Sequence, residues 1–315
     1  MKKRIIFVPQ LPVHMRYQGW WITELEKEFQ KHYDEVITLG KNSLIYFEDK
    51  WYDKTGQSFT STDKSIQFEQ FQISDFLKLK INEKEDTLFL SDISFPGFFS
   101  NVLHHKKIKN AYAFCHGSSK NSCDYFQDNR DSKWLVESGH SKLFKKVFVA
   151  TNYHKQKLGW KNVKVIGLPE PFFKTFNSSC KENDIISVSR DCKQKRTKSI
   201  EIEVEKVFGK IIRKQFSNWI DYYKFISKSK ILLSSCKEET FGYQIMDAVK
   251  NGCIPIAPNK FSYPELLPQK FLYKNISELK YKINNILNSN SVDIPKLLNQ
   301  DLINNFYNNL INEMN

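Results

Sequence analysis

The stretch ILLSSCKEETFGYQIMDAVKNGCIPIAPNKFSYPELLP, Ile231 to Pro268, decides the fold class. It opens on a short apolar run, Ile231 to Ser234, as expected of a strand buried on both faces of a parallel sheet. Polar residues then lead to Gly242, and a segment of helical period runs from Gly242 to Asn251, where Gly252 stops it. A second apolar strand, Ile254 to Ala257, follows at once. Strand, loop, helix and strand in such close succession form the repeating unit of an α/β sheet.

The same rhythm extends upstream. Ile185 to Val188 reads as a strand, Thr197 to Phe208 as a helix, Lys210 to Phe216 as a strand and Trp219 to Ser229 as a helix. An earlier series of strands covers Ile5–Val8, Val36–Leu39, Thr87–Leu90, Ala111–Cys115, Val147–Ala150 and Val163–Ile166, with helical spacing at Trp20–His32 and Trp134–Phe144. Between the two series, Pro169 to Asn183 carries two prolines, a Ser-Ser pair and charges, the composition of a linker. Residues 44–75 are aromatic and polar with weak periodicity and receive no element. Ile276 to Met314 reads as helical and Asn-rich. A chain of 315 residues accommodates two domains. The reading places them at 1–170 and 171–295, with a terminal helix at 296–315 that packs back on the first domain. In doubly wound sheets ligands bind beyond the carboxyl ends of strands. His116, Asp92, Arg190 and Glu239 each fall just after a predicted strand.

Composition narrows the partners. The formal net charge is +13. An excess of this size suits nucleic acid, an anionic membrane surface or phosphate-bearing small molecules; a chain rich in Lys, Asn and Ile also fits plain compositional bias. The six cysteines form no C-x-x-C pair, which argues against a zinc ribbon. Cys236 and Cys253 lie in apolar runs, where a thiol behaves as a small hydrophobe, as in a reducing compartment. The basic N-terminus carries an apolar run that stops at Pro9, too short for a signal peptide, and no run of 18 apolar residues exists. A soluble, cytoplasmic protein is the expectation.

Three segments could carry chemistry. Glu238 to Gln244 joins a strand to a helix. Gly242 lets an anion approach the backbone, and the helix N-terminus favours phosphate there. Glu239 can accept hydrogen bonds from sugar hydroxyls, and Asp247 lies about two helical turns further on, on a similar face. An ordinary capped helix fits this fragment equally. Ser189 to Lys195 places Arg190 and Lys195 at a strand-to-helix turn, where two cations can clamp a diphosphate; Arg196 and Lys198 extend the run as in a solvated basic loop. Asn259 to Leu267 offers Glu265 beside Pro264, either for a ribose or sugar hydroxyl or as a turn that caps a helix.

In order and spacing these segments resemble the retaining GT-B glycosyltransferases of the family 4-like, glycogen-synthase and sucrose-synthase superfamily. Glu239 to Asp247 is similar to that family's E-x7-E element, with Asp in the second place, and Arg190 with Lys195 is similar to its diphosphate-binding pair. The resemblance implies a GT-B fold: two Rossmann-like doubly wound domains facing a central cleft. It implies that Arg190 and Lys195 contact the donor diphosphate, and that Glu239 binds sugar hydroxyls near the anomeric carbon. The backbone of Thr240, Phe241 and Gly242 would meet sugar and phosphate, Asp247 the ribose, and His116 the anomeric centre. Gly19 stands roughly where the family's N-terminal loop glycine lies, without the usual Gly-Gly. The interval from Arg190 to Glu239 is short for the family and leaves the base-reading region reduced.

The resemblance further implies transfer of a hexose from a UDP- or GDP-sugar with retention at the anomeric carbon. No Asp-x-Asp loop follows a strand, so no obligatory metal is expected. For the acceptor, Arg16, Tyr17, Gly19 and Trp20 interleave charge and aromatics after the first strand, suited to stacking a base, with Asp92 nearby; a helix start with core tryptophans is the plainer reading. YPELLP followed by FLY resembles the tRNA-queuosine mannosyltransferases, and the compact basic format resembles phage enzymes that glycosylate modified DNA bases. A hydroxylated or hypermodified base in nucleic acid, DNA or RNA, is therefore the expected acceptor. The alternatives are a glycan or lipid-linked acceptor at an anionic membrane, and a non-catalytic nucleic-acid-binding protein on the same scaffold.

Overall fold

The computed structural model describes residues 3–11, 17–46, 62–93, 108–121, 130–170, 175–189, 195–216, 218–289 and 294–315. The N-terminal half forms a sheet of six strands: β1 (Arg4–Val8), β2 (Glu35–Thr38), β3 (Thr87–Leu90), β4 (Asn110–Phe114), β5 (Lys146–Val149) and β6 (Val163–Val165). Their order is β2-β1-β3-β4-β5-β6, and every pairing is parallel. Alternate residues of each strand feed opposite faces. Ile5, Phe7, Phe89, Phe114 and Phe148 fill one core, while Ile6, Val8, Leu88, Leu90, Val147 and Val149 fill the other. Among the described residues four helices flank it: α1 (Tyr17–Gln30), α2 (Thr62–Leu77), α3 (Arg130–Ser141) and α4 (Asn152–Leu158). Helix α2 lies largely in the interval to which periodicity assigned nothing. Its buried stripe is Phe68, Gln72 and Phe76, and the amide in the middle breaks the apolar pattern. Gln72 is tolerated there because its Nε2 donates to the Pro9 carbonyl at 2.7 Å.

The second sheet has five strands, β7 (Asn183–Ser187), β8 (Ile212–Arg213), β9 (Ser229–Leu233), β10 (Ile254–Pro258) and β11 (Leu272–Tyr273), in the parallel order β11-β10-β9-β7-β8. Helices α5 (Lys198–Phe208), α6 (Trp219–Ser227), α7 (Tyr243–Lys250), the short α8 (Tyr263–Leu266) and α9 (Ile276–Asn288) complete the unit. The strand expected over Lys210–Phe216 contracts to two residues at the sheet edge, where Arg213 turns its guanidinium to Glu201 and Glu205.

The C-terminal stretch is not one helix. After α9 the chain passes Pro295, takes a left-handed turn at Asn299 (φ 52°) and forms α10 (Gln300–Asn304) and α11 (Phe306–Met314). These two helices pack on the first domain. Phe306 lies 5.6 Å from Trp21 and 6.4 Å from Phe114, and the Tyr112 hydroxyl donates to the Met314 carbonyl at 2.7 Å. Contact is close enough that a Cβ on Gly167, at φ 81°, would sit 1.8 Å from the Leu302 carbonyl oxygen. One apolar cluster runs through both domains, from Phe7 and Phe148 through Phe241, Ile245 and Tyr263 to Leu310.

Each sheet reverses direction beside its first strand. In the first, β2 lies to one side of β1 and β3 to the other; in the second, β8 and β9 flank β7. Such switch points leave a crevice at the carboxyl ends of the strands. The loops after β3, β4 and β9 open there and carry Asp92, His116 and Glu239 respectively.

Candidate active site

The loop from Ser234 to Gly242 leaves β9 at the switch point of the second sheet. Gly242 has φ 105° and ψ 58°, a left-handed conformation that frees the chain to turn into α7. A side chain here would also sit 3.1 Å from the Tyr263 ring. Ser262, buried, pins the loop from below: its Oγ lies 3.1 Å from the Glu239 carbonyl and 2.8 Å from the Phe241 carbonyl. Gln244 ties the loop to the neighbouring strand end, donating to Ser234 Oγ (3.1 Å) and accepting from Ser189 Oγ (3.0 Å). Glu239 is thereby held at the head of α7. Its Oε1 accepts from the Thr240 amide at 3.1 Å, and its Oε2 pairs with Lys195 Nζ at 3.1 Å. Its side chain keeps 16% exposure and that of Lys195 25%, so both face a solvent-reachable cleft.

Lys195 rests on a buried network. Glu201, on α5 and 2% exposed, accepts from Arg196, Arg213 and Ser235. Thr197 donates its Oγ1 to the Ser235 carbonyl at 2.7 Å. Desolvation raises its carboxyl, but the hydrogen bonds from Arg196 and Ser235 together with the charges of Arg213 and Arg196 outweigh it and hold the carboxyl below the usual carboxylate range. The network binds the cationic loop to the loop carrying Glu239. Arg190 lies outside the described residues.

His116 faces this loop from the first domain. Its carbonyl accepts from Thr240 Oγ1 at 2.9 Å. The ring stacks on Phe114 at 4.4 Å and meets the edge of Trp21 at 4.7 Å. Nε2 lies 3.0 Å from the Ser91 carbonyl, which can only accept, so Nε2 carries the proton and Nδ1 the lone pair. Burial lowers the ring's pKa to about 3, so the imidazole is neutral across the physiological range. Asp92, next to Ser91, is buried and accepts from Gln10 Nε2 at 2.6 Å. His154, on α4, is also fully buried and lowered to about 3, and neither ring nitrogen has a hydrogen-bond partner.

Two expected groups sit elsewhere. Tyr17, Gly19 and Trp20 form the first turn of α1 rather than a loop, and Arg16 lies outside the described residues. Trp21 behind them is core, 2% exposed. Asp247 is buried one side of α7, where its oxygens accept from Tyr222 (2.9 Å) and Tyr223 (3.2 Å). Burial pushes its carboxyl up to about 7. Phe241 is buried too, its ring against Tyr243 at 5.2 Å and its carbonyl held by Ser262. Among the described residues no three of His, Cys, Asp or Glu gather as metal ligands, and no helix is long and apolar enough to cross a membrane.

The fold has counterparts among solved structures. Sucrose-phosphate synthase from Thermosynechococcus elongatus superposes with a TM-score of 0.62 over 99% of this chain and 94% of that one, at 11% identity. The lipopolysaccharide outer core galactosyltransferase WaaB gives 0.63 over 98% of each chain at 13% identity. TarM gives 0.62 over 100% of this chain and 96% of that one at 13% identity. The chain has the GT-B fold. Anabaena HepE, solved in complex with UDP and glucose, shares it with a TM-score of 0.59 and 11% identity, over 100% of this chain and 95% of that one. No protein-family model matches. By sequence, the chain is similar to a tRNA-queuosine alpha-mannosyltransferase of Drosophila melanogaster, 35% identical over 81 residues. That match covers 26% of this chain and 22% of the relative.

Two more residues tie the domains together: Thr151, which sequence reasoning passed over, and Glu265, which it offered as a sugar ligand or a cap. Thr151, just after β5, donates its Oγ1 to the Thr240 carbonyl at 2.7 Å while capping α4. The rule that flagged His116, a polar residue directly after a strand, applies to it as well. Glu265 accepts from the Asn152 and Tyr153 amides at 2.9 and 2.7 Å. It is a helix cap, but of a helix in the opposite domain, where its charge also suits the positive end of α4.

Proposed function

We propose that this chain is a glycosyltransferase that moves a hexose from a nucleoside diphosphate sugar to a hydroxyl acceptor, with retention and without an obligatory metal. The observation that carries the reading is the Glu239–Lys195 pair at the head of α7, faced across the cleft by a neutral His116. Lys195, with Arg190, supplies positive charge for the departing diphosphate, and the first amides of α7 add to it. Glu239 accepts from sugar hydroxyls and orients the anomeric carbon. His116 offers Nδ1 as an acceptor on the other side of the sugar. An imidazole so hard to protonate does not act as an acid at neutral pH; its role is to hold the sugar. The acceptor hydroxyl attacks from the face the diphosphate leaves, and its proton passes to the departing phosphate. Orientation and charge account for the rate. Asp247 serves the nucleotide indirectly, by fixing the Tyr222 and Tyr223 hydroxyls beside the half-buried Trp219.

For the acceptor we infer a hydroxylated base in nucleic acid. The net charge of +13 and the similarity to an enzyme named for tRNA support it. The test incubates the protein with UDP- and GDP-hexoses and measures their hydrolysis, then adds DNA or RNA and examines the digested nucleosides by mass spectrometry. Hydrolysis that disappears in Glu239→Ala and a nucleoside heavier by one hexose are expected. Absence of both hydrolysis and any thermal shift with these donors refutes the enzyme. Transfer to a lipid or glycan, with nucleic-acid binding indifferent to salt, refutes the acceptor.

A further inference from the structure

Glu238 stands next to Glu239 and faces the other way. Its side chain is 5% exposed, yet it is a carboxylate with its partners in the first domain. Oε1 accepts from Asn121 Nδ2 at 3.2 Å and from the Tyr153 hydroxyl at 2.9 Å, and it pairs with Lys157. The next residue, Glu239, pairs with Lys195 of its own domain. The one after that, Thr240, turns back to His116 and Thr151. Three successive residues thus engage the first domain, the second and the first again. Tyr153 and Lys157 both belong to α4, the helix that Glu265 caps from across the cleft.

We propose that Glu238 is a positioning residue, a latch by which closure of the cleft on α4 sets the loop that presents Glu239. The inference rests on the reading that Glu239 handles the donor sugar. A carboxylate and an ammonium enclosed together attract strongly, but only while the cleft is shut and water is excluded. When the domains part, both groups regain water, so the latch releases without stranding a charge. Glu239 is flanked on each side by a residue tied to the opposite domain, so its orientation depends on closure, as in enzymes whose sites are completed by domain motion.

The experiment compares full-length wild type, Glu238→Gln and Lys157→Met. Three readouts are taken: hydrolysis of whichever nucleotide hexose the wild type accepts, UDP affinity by calorimetry, and hydrogen exchange of the amides of residues 151–158. Both variants should lower kcat by roughly tenfold to a hundredfold, the scale of a misplaced catalytic group. UDP affinity should stay within about threefold, because the nucleotide meets the second domain. Exchange at 151–158 should rise while that of Ile276–Asn288 does not. Wild-type kcat in either folded variant, or unchanged exchange at 151–158, overturns the latch. If Glu238→Gln does not fold, Lys157→Met decides, since it removes the same contact from the other domain. If the wild type hydrolyses no nucleotide hexose, the enzyme reading fails by itself, and exchange still reports whether Glu238 joins the domains.

Discussion

Replacing Asp247 with Asn should make the protein more resistant to rising pH. The wild-type carboxyl, pushed up to about 7 by burial, keeps its proton in the folded state over a range where the unfolded chain, near 3.8, has lost it. Unfolding therefore releases a proton throughout that window, rising pH favours the unfolded chain, and stability falls until the folded carboxyl itself ionises near 7. The full window corresponds to on the order of 4 kcal/mol. Asn cannot titrate, yet it preserves the shape. Its Oδ1 accepts from one tyrosine hydroxyl and its Nδ2 donates to the other, which turns to accept. Urea unfolding followed by tryptophan fluorescence at pH 5, 6.5 and 8 measures the difference between variant and wild type. That difference should move in favour of Asn by roughly 2 to 3 kcal/mol between pH 5 and 8. A difference that stays constant, or moves the other way, refutes the buried, proton-holding carboxyl. The same variant separates direct from indirect contact with the ribose. With two tyrosines interposed, UDP affinity should fall by about threefold or less, whereas loss of a charged ligand to the ribose costs more than about tenfold.

Two further outcomes follow from buried groups. Below pH 6.5 the unfolded chain takes up protons that His116 and His154, both lowered to about 3, refuse in the folded state, so stability should drop as pH falls from about 6.5 toward 3. The pair contributes up to about 3 kcal/mol per pH unit, offset above pH 4 by the opposite slope of Asp247, and His154→Gln should shallow this acid limb by one proton's worth in pH-dependent unfolding. Gly167→Ala should unseat α10 and α11, because φ 81° disfavours a side chain and the new methyl would overlap the Leu302 carbonyl. A loss of more than about 1 kcal/mol and faster proteolysis within residues 300–314 are expected, and a wild-type cleavage pattern would contradict the packing.

The sheets were legible because parallel strands buried on both faces are written as short apolar runs, and the runs at Ile5, Thr87, Val147, Ile231 and Ile254 all became strands. The loop carrying Glu239 was legible because a glycine at a strand-to-helix turn has a chemical use. What failed was any inference that needed a partner from far away. Asp247 was placed on a face with Glu239 by helical spacing, but α7 begins only at Tyr243. Glu239 lies ahead of the helix, across the left-handed turn at Gly242, so the 3.6-residue period does not connect the two. Glu265 was read correctly as a possible cap and incorrectly as local, since nothing in Tyr-Pro-Glu-Leu points to a helix in the other domain. Helix α2 was hidden by one glutamine whose partner is the Pro9 carbonyl.

The contacts between the domains differ in kind with position, and that difference has a mechanical meaning. At the mouth of the cleft they are polar: Glu238 with Lys157, Thr240 with Thr151, Glu265 with the amides of α4. Such bonds exchange for bonds to water at a net cost of only about 1 kcal/mol each, so they can break and reform in a working cycle. Away from the mouth the contacts are apolar. Phe306, Leu310, Ile311 and Met314 are all buried, and fully exposing any of them would cost about 1.5 to 3 kcal/mol with nothing regained from water. A molecule joined in this way is expected to open at its polar edge and pivot on its apolar one. Opening separates α4 from the Glu239 loop, while α10 and α11 keep their seat on the first sheet. On the proposed function, the donor enters from the side on which Lys195 and Glu239 are exposed, and the movement that admits it undoes the orientation of Glu239 until the cleft shuts again.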